Sequence, residues 1–388
     1  MPALPHYLQY CCMCLRRHGH EAYPVGGCVR DLLLGRQPQD WDVATSARPE
    51  EVMSLFARTV PTGLKHGTVT VLLGGGKVEV TAFRREGGYA DGRHPDAVTF
   101  DAGLREDLSR RDFTINAMAL APGGGIIDLF GGQADLSQKI IRCVGSPAAR
   151  FSEDALRMLR AVRFSAQLGF ELEPATAGAV KAGVAGEAHL SAERVRAEVE
   201  QTITAPFPSR GGLLFSAGLL APWLDGPVSP DLSVLSVLPP QPLHRWSGLC
   251  VLLGGTAFLE RLKPDRHTAA VCAGVLCALR PPRPGTAADW RRALARYGAE
   301  VAAVAAAVMG AGEELERVLA AGPCYEIGAL ALTGGDLRKL GFRGPEIGRM
   351  QRALLCHVLE HPEDNRAEIL RQLALRDQGS TNSFSNRP

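Results

Sequence analysis

A chain of 388 residues exceeds what one ordinary hydrophobic core can organise, so roughly two to four domains are expected. With 46% hydrophobic and 22% charged residues it is globular, and a net charge of +2 neither demands nor excludes a polyanionic partner, which only a local basic stripe could reveal. No apolar run reaches the roughly 18 to 20 residues that span a bilayer and no signal-peptide pattern opens the chain, so membrane roles are set aside and a cytoplasmic protein is expected.

The cluster Cys11-Cys12-Met13-Cys14 lacks a partner pair at zinc-ligand spacing and the rest of the 10 cysteines are scattered, so reduced thiols are expected. Next, Val25-Gly26-Gly27-Cys28-Val29-Arg30-Asp31 puts small residues at a helix start, where free N–H groups and the positive end of the dipole can receive a phosphate. A Gly-Gly pair alone is more often just a turn. Asp42–Thr45, Thr68–Leu73, Lys77–Phe83 and Ile126–Phe130 are short β-branched runs, and Gly74-Gly75-Gly76 between the second and third predicts a hairpin. Residues from about 22 to 140 therefore read as a small mixed sheet with a few helices. Within them the Gly-rich, charged stretch Tyr89–Phe100 predicts a mobile loop leading into a strand. From about residue 145 the periodicity turns helical, with Ser152 the expected N-cap ahead of Glu153 and Asp154. Proline clusters at 205–208, 226–242 and 281–285 interrupt a remainder that is nearly all helix, and the polar stretch 377–388 predicts a disordered C-terminus. The fold class that follows is α+β, a sheet-bearing N-terminal part followed by helices.

The chemistry concentrates in a few segments. Gly35–Asp42 ends in Asp40-Trp41-Asp42, and alternate residues on a strand share a face, so two carboxylates converge whose repulsion shared cations relieve. Mg²⁺ takes oxygen ligands and completes its shell with water and substrate phosphates, which suits phosphoryl transfer. Asp-x-Asp is common in surface turns; here it follows a phosphate cradle, and the two together read as a nucleotidyltransferase with Asp40 and Asp42 as metal ligands. Glu79 reaches the metals if its strand runs antiparallel to that of Asp40 and Asp42, and otherwise faces solvent. Leu108–Met118 joins Arg110-Arg111-Asp112 to an apolar helix start. Arg111 offers a planar donor fork for phosphate and Asp112 an acceptor for a ribose hydroxyl, although such a triplet alone is an ordinary ion-pair patch. Asp154, Arg157, Arg160 and Arg163 recur every third residue as a stripe on one helix, with Asp154 beside Arg157. Either that pair is a plain salt bridge, or it reads a base: the carboxylate accepts from an exocyclic amine while the guanidinium donates to the adjacent ring nitrogen. Cytosine and adenine share that edge, whereas uracil and guanine present a carbonyl to the carboxylate and are rejected. Asp91, Gly92 and Arg93, in the predicted loop, are placed to gate or reorient substrate.

In order and spacing, Gly26–Asp31, Asp40-Trp41-Asp42, Lys65–Val69, Arg110–Ala117, Glu153–Arg157 and Ala192–Val195 resemble the motifs of the class II tRNA nucleotidyltransferase and poly(A) polymerase family, most closely its bacterial CCA-adding members. The resemblance is dense over residues from about 22 to 200. It implies Gly27 and Arg30 as contacts to the incoming nucleotide, with Arg111, Asp154, Arg157, Arg160 and Arg163 completing the pocket and Asp112 on the ribose. It also implies a catalytic head at 1–143, a helical neck at 144–207, a body at 208–320 and an RNA-gripping tail at 321–376, in an elongated arrangement. In and beside the tail segment Leu332–Pro345, Arg338, Lys339, Arg343 and Arg349 would neutralise tRNA phosphates. The implied activity is Mg²⁺-dependent, template-independent addition of CCA to the tRNA 3′ end from CTP and ATP, by a monomer. Rival readings are a poly(A) polymerase, an enzyme adding only adenosine or only the two cytidines, a small-molecule nucleotidyltransferase, and an inactive RNA-binding descendant. No His-Asp metal motif occurs at about 210–320, where His244 and His267 read as structural.

Overall fold

The computed structural model describes residues 4–64, 67–86, 98–99, 102–183 and 190–382. Lys65, His66 and the loop residues Asp91, Gly92 and Arg93 lie outside them. Two compact units, Met1–Ser236 and Val237–Pro388, divide the chain, and the division falls inside the proline-rich stretch 226–242. The first unit thus holds the expected head and neck together with the opening part of the expected body.

In that unit, helix α1 (His6–Arg17) buries Leu8, Cys11, Cys12 and Leu15, the i, i+3, i+4, i+7 face of an amphipathic helix, with the two cysteines serving as small hydrophobes. Strand β1 (Ala22–Pro24) leads through Gly26 into α2 (Gly27–Leu33), then β2 (Asp42–Thr45), α3 (Pro49–Leu55), β3 (Thr59–Gly63), β4 (Thr68–Leu73) and β5 (Gly76–Ala82). The sheet order is β1-β2-β5-β4-β3. The hairpin expected at Gly74–Gly76 forms, Leu73 pairing with Gly76 while Gly75 takes a φ of 107°, a conformation that favours glycine. Along β5, Val78, Val80 and Ala82 are buried and Glu79 and Thr81 point to the opposite, open face. The β2–β5 pair is parallel, not antiparallel as expected for Glu79, and its register sets Asp42 directly against Glu79. Because directly paired residues share a face, the parallel arrangement still brings these two carboxylates together.

Next come the short pair β6 (Arg85–Glu86) and β7 (Val98–Thr99) and helix α4 (Leu104–Ser109). The apolar helix expected after Arg110-Arg111-Asp112 is instead a 3₁₀ turn at Thr114–Asn116 followed by strand β8 (Met118–Leu120), hairpinned to β9 (Ile126–Asp128). This segment is fully buried from Phe113 to Leu120, so apolar composition alone did not separate strand from helix. Helix α5 (Gly132–Gln138) and β10 (Ile140–Ile141) close the sheet-bearing part. Helix α6 (Pro147–Glu153) starts at Ser146 with Pro147 in its first turn, so Ser152 lies in the last turn and is not an N-cap. The backbone breaks at Asp154 (φ −150°, ψ 106°), and α7 (Leu156–Leu168) begins beyond it, followed by β11 (Glu171–Leu172), α8 (Pro174–Ala182), α9 (Ala192–Ile203) and α10 (Gly212–Ser216). Helix α7 packs chiefly on α9, and only its Arg157, Arg160 and Gln167 side of the helix stays partly open.

The second unit is helical: α11 (Pro242–Leu252), α12 (Ala257–Arg261), α13 (Arg266–Ala278), α14 (Ala287–Met309), α15 (Gly312–Ala320), α16 (Gly334–Lys339), α17 (Pro345–Glu360) and α18 (Ala367–Asn382). One core gathers around Trp290, Val275 and Ala305, another around Leu337, Val358 and Leu370. Helix α18 runs on through 377–382, where a disordered end was expected. Among the described residues no helix is long and apolar enough to cross a membrane.

Candidate active site

An open cleft of about 680 Å³ in the first unit draws its walls from the β1–α2 turn, the start of β2, the segment from Arg110 to Asn116, and helices α7 and α9. Of the residues expected to act, Gly27, Arg30, Asp40, Asp42, Arg111, Asp112, Asp154, Arg157, Arg160 and Arg163 all line it.

At its floor, Gly26 has a φ of 81°, and a Cβ there would stand 2.7 Å from Arg111 Nη1 and 3.7 Å from Asp42 Oδ2. The positive φ favours glycine there, and a Cβ would press on the Arg111 guanidinium and shift it. Arg30, one turn into α2, ion-pairs Asp31 at 2.8 Å and donates from Nη1 to Asn116 Oδ1 at 2.8 Å. Asp42 opens β2, whereas Asp40 stands ahead of the strand with its side chain 65% exposed and 3.1 Å from Lys77 Nζ. Burial, opposed by Arg111 and reinforced by Glu79 and Asp40, pushes the Asp42 carboxyl up to about 6.

That crowding of carboxylates is what a hard cation relieves, so the donor set fits a divalent metal. Among the described residues no three His, Cys, Asp or Glu side chains form a complete cage. Mg²⁺ characteristically needs none, since one or two carboxylates plus substrate phosphates and water fill its shell.

Asp112 is buried, and its carboxylate is already occupied: Oδ1 accepts from Phe113 N–H (2.8 Å) and Asn116 Nδ2 (3.3 Å), Oδ2 from Arg160 Nη2 (2.6 Å) and Nε (2.8 Å). Burial raises this group, but Arg160 and the other donors hold it down to about 2. A ribose hydroxyl reaches Asp112 only by displacing one of these donors.

The expected stripe on one helix is broken. Asp154 sits in the α6–α7 break, where Oδ1 caps α7 by accepting from Leu156 N–H (3.0 Å) and Oδ2 accepts from Arg194 of α9 (2.7 Å). Arg157 pairs not with Asp154 but with Glu153 (2.5 Å), and donates to the carbonyls of Arg150 and Arg110 (each 3.3 Å). Each member of the pair thus has its own counter-ion outside the pair. Arg163 turns away into the α7–α9 interface, bound to Glu198 (2.6 Å) and Gln201 (2.9 Å). The Phe164 ring lies under three guanidinium carbons, Arg163 at 4.2 Å, Arg30 at 5.2 Å and Arg160 at 5.5 Å.

Arg194, Glu153, Asn116 and Phe164 escaped the sequence reading as individual residues. Arg194, Glu153 and Asn116 lie inside the family-like motifs without a role of their own there; nothing in the pattern marks Phe164. In the second unit, Arg338, Lys339, Arg343 and Arg349 are exposed on and beside α16 and α17. Lys339 is 3.4 Å from Asp336, which also caps α16 through Thr333.

Residues 22–142 match the Poly A polymerase head domain. The CCA-adding enzyme of Geobacillus kaustophilus is 42% identical over 376 residues, spanning 91% of this chain and 92% of that one. The CCA-adding enzyme of Limosilactobacillus fermentum is 39% identical over 88% of this chain and 89% of its own. The crystal structure of the Bacillus stearothermophilus CCA-adding enzyme in complex with CTP superposes with a TM-score of 0.82 at 37% identity, covering 97% of this chain and 98% of that one. With these likenesses running through the head, the helical break and the second unit alike, the chain belongs to the CCA-adding enzyme family.

Proposed function

We propose that this protein adds CCA to the 3′ end of tRNA from CTP and ATP, without a nucleic-acid template and with release of pyrophosphate. The observation that carries this reading is that Asp154 and Arg157 face one cleft with Asp42, each neutralised from outside by Arg194 or Glu153 instead of by its neighbour. If the two were paired to each other, an incoming base would have to break their salt bridge. Held apart, Asp154 keeps lone pairs for an exocyclic amine and Arg157 keeps donors for the ring nitrogen beside it. One rigid pair thereby accepts cytosine and adenine and rejects uracil and guanine.

The remaining residues divide the triphosphate between them. The first-turn amides at Gly27, with Arg30 and Arg111, receive its charge. Arg160, held by Asp112, lines the same cleft. Asp40 and Asp42 would hold Mg²⁺, with Glu79 adding negative charge behind Asp42. When bound, the metal lowers the pKa of the attacking ribose hydroxyl and offsets charge on the phosphates. Asp40 must leave Lys77 to take part, an exchange that its exposure permits. Within this reading 1–143 is the head, 144–207 the neck, 208–320 the body and 321–376 the tail. Arg338, Lys339 and Arg343 of the tail grip tRNA phosphates, and the protein works in the cytoplasm as a monomer.

Incorporation of labelled CTP and ATP into tRNA ending before, within or after the two cytidines tests the proposal. Two cytidines followed by one adenosine, then arrest, are expected. Adenosine runs would indicate a poly(A) polymerase, a single nucleotide class a partial enzyme, and no incorporation would refute the assignment.

A further inference from the structure

Asp107 belongs to none of the groups assigned above. It lies on α4 one turn ahead of Arg110 and Arg111, three and four residues away, and has no solvent exposure. Its Oδ1 accepts from Arg110 Nη2 (2.6 Å) and Nε (3.2 Å), and its Oδ2 from Arg111 Nη2 (3.2 Å). Burial disfavours this charge, and Arg111 and Arg110 together more than offset it, holding the carboxyl below its ordinary range.

Arg111 stands between two carboxylates. Asp107 holds Nη2 from behind, while Asp42 flanks, with Arg111 Nη1, the space beside Gly26. Nη1 makes a long 3.4 Å contact to the Asn116 carbonyl, and Nε is buried with no partner. A guanidinium this far buried, its side chain 19% exposed, would without a rear anchor turn to Asp42, which flanks the same space, because a buried charge needs a counter-ion. That turn would cover Asp42 and withdraw Nη1 from an incoming phosphate.

We propose that Asp107 is a positioning residue for nucleotidyl transfer: it tethers Arg111 by one edge, keeps it off Asp42, and presents Nη1 to the triphosphate beside Gly26. The inference rests on the reading of the cleft given above. Asp107 touches no substrate; it acts through Arg111. The carbonyl of Arg110, which accepts from Arg157, belongs to the same turn, so a general loosening of α4 would disturb base choice as well. A tether specific to Arg111 would not.

The test is a double-mutant cycle with Asp107→Asn, Arg111→Ala and the two combined, reading KM and kcat for CTP on tRNA lacking CCA, equilibrium CTP binding, and the CTP-to-UTP preference. Asp107→Asn is expected to raise KM for CTP and weaken CTP binding roughly ten- to hundredfold, as removing an orienting partner commonly does. It should add little once Arg111 is Ala, and should leave base preference unchanged. Effects that multiply independently, an unchanged KM, or a shifted base preference overturn the proposal. Should Asp107→Asn fail to fold, Asp107→Glu keeps the charge but displaces it by one methylene, and is put through the same cycle. Its rise in KM must vanish in the Arg111→Ala background, and a wild-type KM or an independent effect overturns the idea. Wild-type protein that neither binds CTP nor incorporates it would instead refute the reading of the cleft, before any variant is compared.

Discussion

Replacing Asp154 with alanine tests the proposed base reading directly, at a cost to folding that can be measured beside it. The substitution deletes the acceptor proposed for the exocyclic amine, the 2.7 Å bond from Arg194 and the 3.0 Å cap on Leu156 N–H. A hydrogen bond to a charged group contributes about 1.5 to 3 kcal/mol, and at about 1.4 kcal/mol per decade its loss narrows discrimination by roughly ten- to hundredfold. Cytosine and adenine lose a partner, while uracil and guanine cease to face a carboxylate with their carbonyl oxygens, so the wrong bases gain relative to the right ones. The lost cap costs about 1 kcal/mol, which in a unit of this size lowers the melting temperature by only a few degrees. Arg194, its side chain 27% exposed, loses its counter-ion as well, so Arg194→Ala is run alongside to separate that loss from base reading. The assay compares kcat/KM for CTP against UTP, and for ATP against GTP, on tRNA ending one nucleotide short of each addition. Unchanged ratios in a variant that melts within a few degrees of wild type would refute base reading by Asp154 and return it to the role of a helix cap.

If Asp40 and Asp42 hold the metal as proposed, Asp40→Ala and Asp42→Ala should each abolish incorporation while tRNA binding, measured by filter retention, persists; more than a few per cent of wild-type turnover would count against that. Replacing Arg338, Lys339 and Arg343 with alanine should weaken tRNA binding and flatten its salt dependence by about one unit of slope per lost phosphate contact, and an untouched slope would make this segment a structural cap. Acid should act through Asp112, whose carboxyl is held down to about 2 by Arg160 against the pull of burial. A depressed carboxylate contributes stability above its unfolded pKa and loses it as pH falls, here on the order of 2 kcal/mol between about pH 4 and pH 2. The stability gap between wild type and Asp112→Asn in denaturant titrations should therefore narrow across that window, and a gap constant down to pH 2 would show that the pair does not titrate as described.

Local signals carried the sheet and the helix start well. Turn chemistry at Gly74-Gly75, β-branched alternation along Thr68–Leu73 and the small residues at Gly26-Gly27 each act within a few residues of themselves, so they survive reading without a structure. Some failures depended on partners distant in sequence, others on local competition for helix-start amides. Whether β2 runs parallel or antiparallel to β5 is decided by how the intervening chain crosses over, and no property of Glu79 itself encodes it. The three-residue spacing of Asp154, Arg157, Arg160 and Arg163 fits a helical stripe, yet Asp154 leaves the helix to cap it, because an aspartate competes for the next turn's amides whenever the backbone is free to break. Asn116, 86 residues from the Arg30 it receives and four from Asp112, looks like any buried amide until the chain is folded.

Net charge was silent for a physical reason that the cleft now makes plain. Eight arginines and four aspartates line it, in a chain whose overall charge is only +2. The positive charge is therefore local, and several of those arginines carry a carboxylate behind them: Asp31 for Arg30, Asp107 for Arg110 and Arg111, Glu153 for Arg157, Glu198 for Arg163. Such rear counter-ions stabilise a crowd of like charges and fix each fork in direction, at the expense of some of the attraction toward substrate. A site that had to bind triphosphate as tightly as possible would leave its arginines bare. On the proposed reading, one that holds CTP and ATP in a single geometry gains more from fixed direction than from raw charge, and the acids behind the arginines supply that direction.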